Sequence, residues 1–372
     1  MPSPPNLLVL QWHITERCNR RCLHCYQENS ARDELQFKDL LGVVEQFKEL
    51  LDDLGRRTSF PVRGHINVTG GEPFIRQDFL NLLEAFHANK NRFTFAIFTN
   101  GSFVDEAMAS RLRKLNPTSV QVSIEGTKEI NDYIRGKGAL EQTVSALKHL
   151  VREHISSVIS FTAHRANFRE FFEVARLGRE LGVTRVWGDR LIPWGNGLAL
   201  MEQGLSPDET REFFEVMFKA HNEAVRGFCR TQIAMHRALQ FLVGGGIPYH
   251  CGAGYNLIAL QPSGDLYPCR RMPIRVGNLM ETHLINLYYE SEILQSLRNP
   301  DRISSGCANC SFSKKCRGGL KCLSFALTGD PFRADPGCWR ALPPPSASGE
   351  KNGDLPKKDA EGSTPSSGGT PI

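Results

Sequence analysis

The chain has 372 residues, 45 of them Lys or Arg and 40 Asp or Glu, for a formal net charge of +5 at pH 7. That length suffices for two domains with cores of their own, and 40% apolar with 23% charged residues is an ordinary globular balance. The basic excess is small and without long single-sign runs, so no nucleic acid is expected, and no apolar stretch approaches the roughly 20 residues of a membrane span, so no membrane is expected either. The start, Met-Pro-Ser-Pro-Pro-Asn, lacks the basic segment of a signal peptide. A cytoplasmic location follows as the expectation, and eleven cysteines in a reducing compartment point to metal rather than to disulfides.

The first apolar run, residues 7–13, reads as a strand. Cys18, Cys22 and Cys25 come immediately behind it in the pattern CxxxCxxC. Three thiolates at that spacing suit three corners of a cubane iron–sulfur cluster, with the fourth iron free for another ligand. Zinc is the competing metal, with His13 or His24 as a fourth ligand. A helical pattern at 37–54 follows, with apolar Leu40, Leu41, Val44, Phe47, Leu50 and Leu51 on one face. Further strands are predicted at 65–69, 93–98, 119–124, 158–163 and 185–191. Helices are predicted at 79–88, 105–115, 140–151 and 168–181, with Gly182 closing the last. Strand and helix thus alternate, which argues for an α/β domain with a parallel sheet whose chemistry gathers at the carboxyl ends of the strands.

The second strand ends in Thr69-Gly70-Gly71-Glu72-Pro73, where two glycines permit close backbone approach and Glu72 can accept from an ammonium group. Beyond a Gly/Pro-rich turn at Pro193, Gly195 and Gly197, helical patterns are predicted at about 207–227 and 232–243. From Cys251 to Cys338 there are seven cysteines and few long periodic segments, the texture of a region stapled by metal. From Pro343 onward the composition is that of a disordered tail.

With CxxxCxxC one strand ahead of Gly-Gly-Glu-Pro, residues 7–193 resemble the radical S-adenosylmethionine (SAM) superfamily. The resemblance implies a partial (β/α)₆ barrel. It implies that Cys18, Cys22 and Cys25 ligate a [4Fe–4S] cluster whose fourth iron is chelated by SAM, with Gly70, Gly71 and Glu72 against the methionyl amine. Reductive cleavage of SAM would give a 5′-deoxyadenosyl radical that abstracts hydrogen from a substrate. Phe98-Thr99-Asn100-Gly101 resembles the end of the family's third strand and Val122-Ser123-Ile124-Glu125-Gly126 that of its fourth. There Ser123 and Glu125 are implied at SAM, although Glu125 replaces the usual Asp. Arg135, in Asp-Tyr-Ile-Arg-Gly-Lys-Gly, is implied at the SAM carboxylate, and the run from Arg190 to Gly195 lies where the family approaches the adenosine.

The second group of cysteines resembles the SPASM extension of radical SAM enzymes, which carries up to two auxiliary [4Fe–4S] clusters. By that resemblance Cys307, Cys310, Cys316 and Cys338 hold one cluster, and Cys251, Cys269 and Cys322 hold the other. Five residues rather than the family's three separate Cys316 from Cys322, and Cys322 is still expected to ligate. Cys229 and His250 are candidates to close the three-cysteine cluster, with Cys229 otherwise a buried helical thiol.

The expected organisation is a barrel core over 1–200, a helical linker over 201–250, a SPASM-like domain over 251–342 and a tail over 343–372. The expected activity is radical modification of a ribosomally made peptide or protein side chain, with a flavodoxin- or ferredoxin-like electron donor. With the first strand beginning within about ten residues of the N-terminus, no separate peptide-recognition domain is expected ahead of it, and a leader peptide is expected to dock on the barrel, the extension or a partner protein. Two alternatives stand beside this reading: a small-molecule or cofactor-precursor substrate such as a tetrapyrrole, and an iron–sulfur electron-transfer or zinc-stabilised binding protein. Asp189, Glu202 and Tyr255 are acid–base candidates that nothing in their spacing separates.

Overall fold

The computed structural model describes residues 5–27, 33–58 and 60–341. Seven parallel strands run side by side in chain order: β1 (Leu7–His13), β2 (Arg63–Thr69), β3 (Phe93–Thr99), β4 (Ser119–Ser123), β5 (Ser157–Ala163), β6 (Arg185–Arg190) and β7 (Gln232–Ala234). Helices α1 (Phe37–Thr58), α2 (Phe79–Ala88), α3 (Glu106–Leu115), α4 (Lys128–Arg135), α5 (Ala139–Arg152), α6 (Phe171–Leu181) and α7 (Pro207–Arg226) fill the crossovers. This is a partial α/β barrel, and its six main strands lie where the hydrophobic pattern puts them.

The two faces of the sheet differ. On α1 the apolar spacing buries Leu40, Val43, Val44, Phe47, Leu50, Leu51 and Leu54 against Leu8, Leu10 and Trp12 of β1. Each such side chain contributes about 1.5–3 kcal/mol by leaving water. A second core joins Ile159 and Phe161 of β5 to Phe171 of α6 and to Phe213 and Phe214 of α7. The alternate residues of the same strands are polar and face a cavity, as with Gln121 and Ser123 on β4, Ser160 and Thr162 on β5, and Asp189 on β6. Period-two alternation in a parallel sheet is the mark of one face left open for ligands.

Two elements differ from expectation. The pattern at 232–243 is no helix. Its start is β7, paired with β6 through Val186 and Ile233, and only Phe241–Gly244 (α8) is helical. Ladder hydrogen bonds to the otherwise open edge of β6, whose other edge pairs with β5, outweigh a weak helical periodicity. The basic loop at 132–138 begins as the last turn of α4, and Asp132 accepts the backbone N–H of Gly138 (2.8 Å) and Leu140 (2.9 Å) to turn the chain into α5.

The cysteine-rich segment is tied into the same sheet. Strand β8 (Leu257–Leu260) pairs in parallel with β1, and β9 (Asp265–Tyr267) and β10 (Gly277–Asn278) continue antiparallel beyond it. Short helices α9 (Leu284–Glu290), α10 (Glu292–Arg298), α11 (Ser313–Cys316) and α12 (Lys321–Thr328) follow. The predicted tail, 343–372, lies outside the described residues. Among the described residues no helix is long and apolar enough to cross a membrane.

Candidate active site

The loop after β1 holds the first three cysteines without regular structure of its own. It is fastened by backbone hydrogen bonds: Gly71 N–H donates to Thr15 O (2.8 Å), Glu72 N–H to Arg17 O (2.8 Å), Leu23 N–H to Ile134 O (3.0 Å) and Gly197 N–H to Cys25 O (2.9 Å). A Cβ at position 70 would meet Thr15 O at 2.6 Å, and one at position 71 would meet Arg17 O at 2.3 Å. The glycine pair is therefore required by contact between two loops. Gly71 lines the central cavity together with Cys18, Cys22 and Cys25, while Gly70 and Glu72 are not among its lining residues.

Glu72 is fully buried, and its carboxylate accepts from Thr99 Oγ1 (2.8 Å), Asn100 N (2.7 Å) and Phe74 N (3.3 Å). Burial pushes it up to about 7 against the pull of those hydrogen bonds. The carboxylate expected to face an ammonium group thus has three donors within the protein. Glu72 fastens the end of β3 to the glycine turn, and so positions Asn100, whose amide reaches Cys18 Sγ at 3.8 Å.

Glu125 is engaged within the protein in the same way. One oxygen faces Arg135 Nη1 (3.0 Å) and His24 Nε2 (3.1 Å), the other accepts Thr162 N–H (2.7 Å), and the side chain is absent from the cavity lining. Burial would raise it, but the charges of His24 and Arg135 outweigh that and hold it low. Arg135 and Ser123 do line the cavity, and Arg135 Nε is buried with no acceptor.

The seven later cysteines fall into the two expected sets. Cys307 lies within electrostatic reach of Cys310, Cys316 and Cys338, and Cys322 within reach of Cys269 and Cys251. Burial first, then these neighbours, push Cys307 up to about 11 and Cys322 higher still. Cys25 and Cys316 also rise to about 11, chiefly by burial. Such thiols stay protonated at neutral pH unless a metal takes the proton's place. No three His, Cys, Asp or Glu side chains among the described residues converge on a single ion. Thiols that are grouped yet spread fit a polynuclear cluster better than one zinc.

The long Cys316–Cys322 spacing is absorbed by three successive residues at positive φ, Arg317 (57°), Gly318 (89°) and Gly319 (75°), which reverse the chain into α12. The turn is closed by Asp335, which accepts Leu320 N–H (2.8 Å) and Gly337 N–H (2.9 Å) and forms a buried bidentate pair with Arg190 Nη1 (2.6 Å) and Nη2 (2.7 Å) at the end of β6. Cys322 is thereby returned to Cys251 and Cys269. Cys229, expected to be buried on a helix, is exposed beyond the end of α7 with its Sγ near Gly227 O (3.8 Å), away from that set. His250 is half-buried, its ring 6.0 Å from that of Tyr255.

Among the acid–base candidates, Asp189 alone lines the cavity. Burial would raise it, but Arg271 (3.1 Å) and Arg237 (3.7 Å) hold it below the usual carboxylate range, so it stays charged. Glu202 is exposed, and Tyr255 lies outside the cavity. The sequence reading missed Arg20, which donates to Arg135 O (3.3 Å) and Gln142 Oε1 (2.6 Å), and the pair Arg270–Arg271, which also line the cavity. Their one signal was adjacency to cysteines.

Residues 12–186 match the family model described as the radical SAM superfamily, and residues 251–311 match SPASM, an iron–sulfur cluster-binding domain. The chain is a radical SAM enzyme with a SPASM domain, and its cofactors are [4Fe–4S] clusters and SAM. Among curated proteins it is similar to mycofactocin maturase MftC of Mycolicibacterium smegmatis, 28% identical over 95% of this chain and 88% of the relative. It is also similar to Fe-coproporphyrin III synthase of Methanosarcina barkeri, 27% identical over 89% of this chain and 87% of that protein. Streptococcus suis SuiB bound to S-adenosylmethionine shares the fold, with TM-score 0.70 and 18% identity over 91% of this chain and 78% of that one.

Proposed function

We propose that this enzyme uses radical SAM chemistry to modify a side chain of a ribosomally made peptide. The observation that carries the reading is the extent of similarity to mycofactocin maturase: 95% of the chain, spanning both groups of cysteines. Cys18, Cys22 and Cys25 would hold the cluster at the mouth of the cavity. Cys307, Cys310, Cys316 and Cys338 would hold one auxiliary cluster, and Cys251, Cys269 and Cys322 another. When bound, the cluster and SAM together supply one-electron cleavage of SAM and abstraction of a substrate hydrogen atom.

The chain's own residues orient and enclose. Gly71 lets the backbone close on the methionyl end, Ser123 presents a hydroxyl from the floor, and Arg135 offers its charge to the SAM carboxylate. Glu125 acts through Arg135 and His24 as a positioning residue, and Glu72 acts through Asn100. The polar inner face of β4–β6, walled by apolar cores behind it, keeps bulk water and stray hydrogen donors from the reacting centre. A one-electron donor of the flavodoxin or ferredoxin kind would supply the reducing equivalent.

The test is anaerobic incubation of the reconstituted enzyme with SAM, dithionite and the deuterated peptide encoded beside the gene. Deuterium in 5′-deoxyadenosine is the expected result. No transfer from any such peptide would overturn the peptide assignment. The similarity to Fe-coproporphyrin III synthase supports a second reading, a tetrapyrrole substrate, for which transfer from a labelled porphyrin would be found instead.

A further inference from the structure

Six arginines line the central cavity, and five have acceptors within the protein. Arg20 and Arg21 donate to backbone carbonyls, Arg135 is paired with Glu125, Arg190 with Asp335 and Arg271 with Asp189. Arg270 is the exception. Its guanidinium carbon sits 5.5 Å from the ring centre of Tyr26 and 5.1 Å from that of Phe98, yet it meets no hydrogen-bond acceptor among the described residues, and its Nε is buried. Two aromatic faces hold the planar cation in place and leave its N–H edges without a partner.

Arg270 also stands at a junction. Together with Tyr26, Gln27 and Arg271 it lines both the central cavity and an adjoining one of about 160 Å³. Two residues on the wall of that second cavity each bury an N–H without an acceptor among the described residues, Trp194 at Nε1 and His13 at Nε2. The amide nitrogen of Gln27 donates to His13 Nδ1 (2.7 Å), which leaves the ring proton on Nε2. Burial, and next the charge of Arg270, push His13 down to about 3, so it is a neutral donor at physiological pH. Arg270 shares the wall of this cavity with Trp194, His13, Glu16 and Arg271, and since Arg271 is already paired with Asp189, Arg270 is the cation left to a ligand. Buried donors without acceptors are costly unless a ligand supplies one.

We propose that this second cavity is a carboxylate subsite for the substrate, with Arg270 as its anchoring cation and Trp194 and His13 as part of its wall. The carboxylate lies at a chain end or on a side chain of the substrate. The subsite adjoins Tyr26, next to Cys25, so a substrate fixed there by its carboxylate presents its neighbouring atoms to the central cavity. The proposal rests on the peptide reading above only for the kind of molecule that carries the carboxylate.

The probes are three synthetic peptides: N-acetyl-Ala-Ala-Ala with a free C-terminus, its C-terminal amide, and N-acetyl-Ala-Asp-Ala amide. Each is titrated calorimetrically into the reconstituted full-length enzyme. Wild type is expected to bind at least one carboxylate form about 10- to 100-fold more tightly than the neutral amide, the range of a charge-assisted bidentate contact. R270Q is expected to lose that discrimination, and R270K to keep only part of it. The free acid and the Asp peptide tell a chain-end carboxylate from a side-chain one. Equal binding of all three peptides by wild type would overturn the subsite without recourse to any variant. A fall in the SAM affinity of R270Q as large as its fall in peptide affinity would also overturn it, by giving Arg270 to the carboxylate of SAM. Arg270-dependent binding without deuterium transfer from any peptide would retain the subsite and discard the peptide maturase.

Discussion

Cys18, Cys22 and Cys25 stand on a loop that belongs to neither apolar core and is held by backbone bonds from Gly71, Glu72, Leu23 and Gly197. The C-terminal cysteines are part of their own packing: Cys269 and Cys322 are buried among Met272, Leu320 and Leu323, and Cys316 joins the core of α6 and α7. In the first region the barrel makes the loop, which on the proposed function leaves the thiols free for chemistry. In the second, short helices of four to eight residues carry too little apolar surface to hold themselves, so the thiols and whatever binds them are part of the fold. The same residue type is a reagent in one place and a staple in the other.

Removing thiols from each side tests this most severely. C18A/C22A/C25A is expected to abolish reductive cleavage of SAM and to lower iron by about four atoms per chain, while the thermal midpoint stays close to wild type. C269A/C322A is expected to lower the midpoint clearly. Equal melting of the two variants would break the comparison. The next largest effect is expected at Asp335, whose carboxylate satisfies Arg190 and two backbone N–H groups in the second region. D335A leaves the Arg190 charge buried and unpaired, a loss of about 3–5 kcal/mol in chemical denaturation. Iron should be lost from the C-terminal sets before the N-terminal one.

The two regions were not equally legible in the sequence. Strands β1 to β6 follow from apolar runs punctuated by turns, and the grouping of the cysteines by spacing and resemblance matches the groups the fold assembles. What spacing could not tell was which side of a turn each carboxylate faces. Glu72 sits one residue beyond cavity-lining Gly71 and Glu125 two beyond cavity-lining Ser123, and burial with three hydrogen-bonding partners each turns them into braces. Arg270 was invisible for the complementary reason: its significance is the lack of a partner, and only three dimensions reveal that. The segment 232–243 was misread because strand pairing is a property of a neighbour in space.

A smaller effect sharpens the first half of the comparison. If the barrel makes the cluster loop, a single methyl at the contact between loops should damage the cluster without unfolding the protein. G71A brings a Cβ to 2.3 Å from Arg17 O, and the overlap is expected to cost about 1–3 kcal/mol. Iron analysis should find the N-terminal cluster depleted and the auxiliary iron retained. Depletion of all iron in proportion would mean that the two regions are coupled.

The smallest expected effect lies outside both regions and calibrates the others. Ser206 caps α7 by accepting Glu209 N–H (3.2 Å), and Glu209 accepts Ser206 N–H (2.9 Å) in return. S206A should cost about 1 kcal/mol and leave iron content and SAM cleavage unchanged. Glu209 also meets Arg165 (2.8 Å), and that hydrogen bond, then the one from Ser206 N–H, hold it down to about 2 from an ordinary 4.5. A depressed carboxylate stabilises the fold above its ordinary range and loses that contribution as pH falls through the folded value. Because the pair is solvent-screened, R165A should cost less than S206A at pH 7, and the gap from wild type should close as pH falls from 4.5 towards about 2. A gap that widened on acidification would mean that Arg165 acts through something other than Glu209. A loss of iron in S206A as large as that in G71A would show that the metal sites report general loosening, and the contrast between reagent and staple would have no measure.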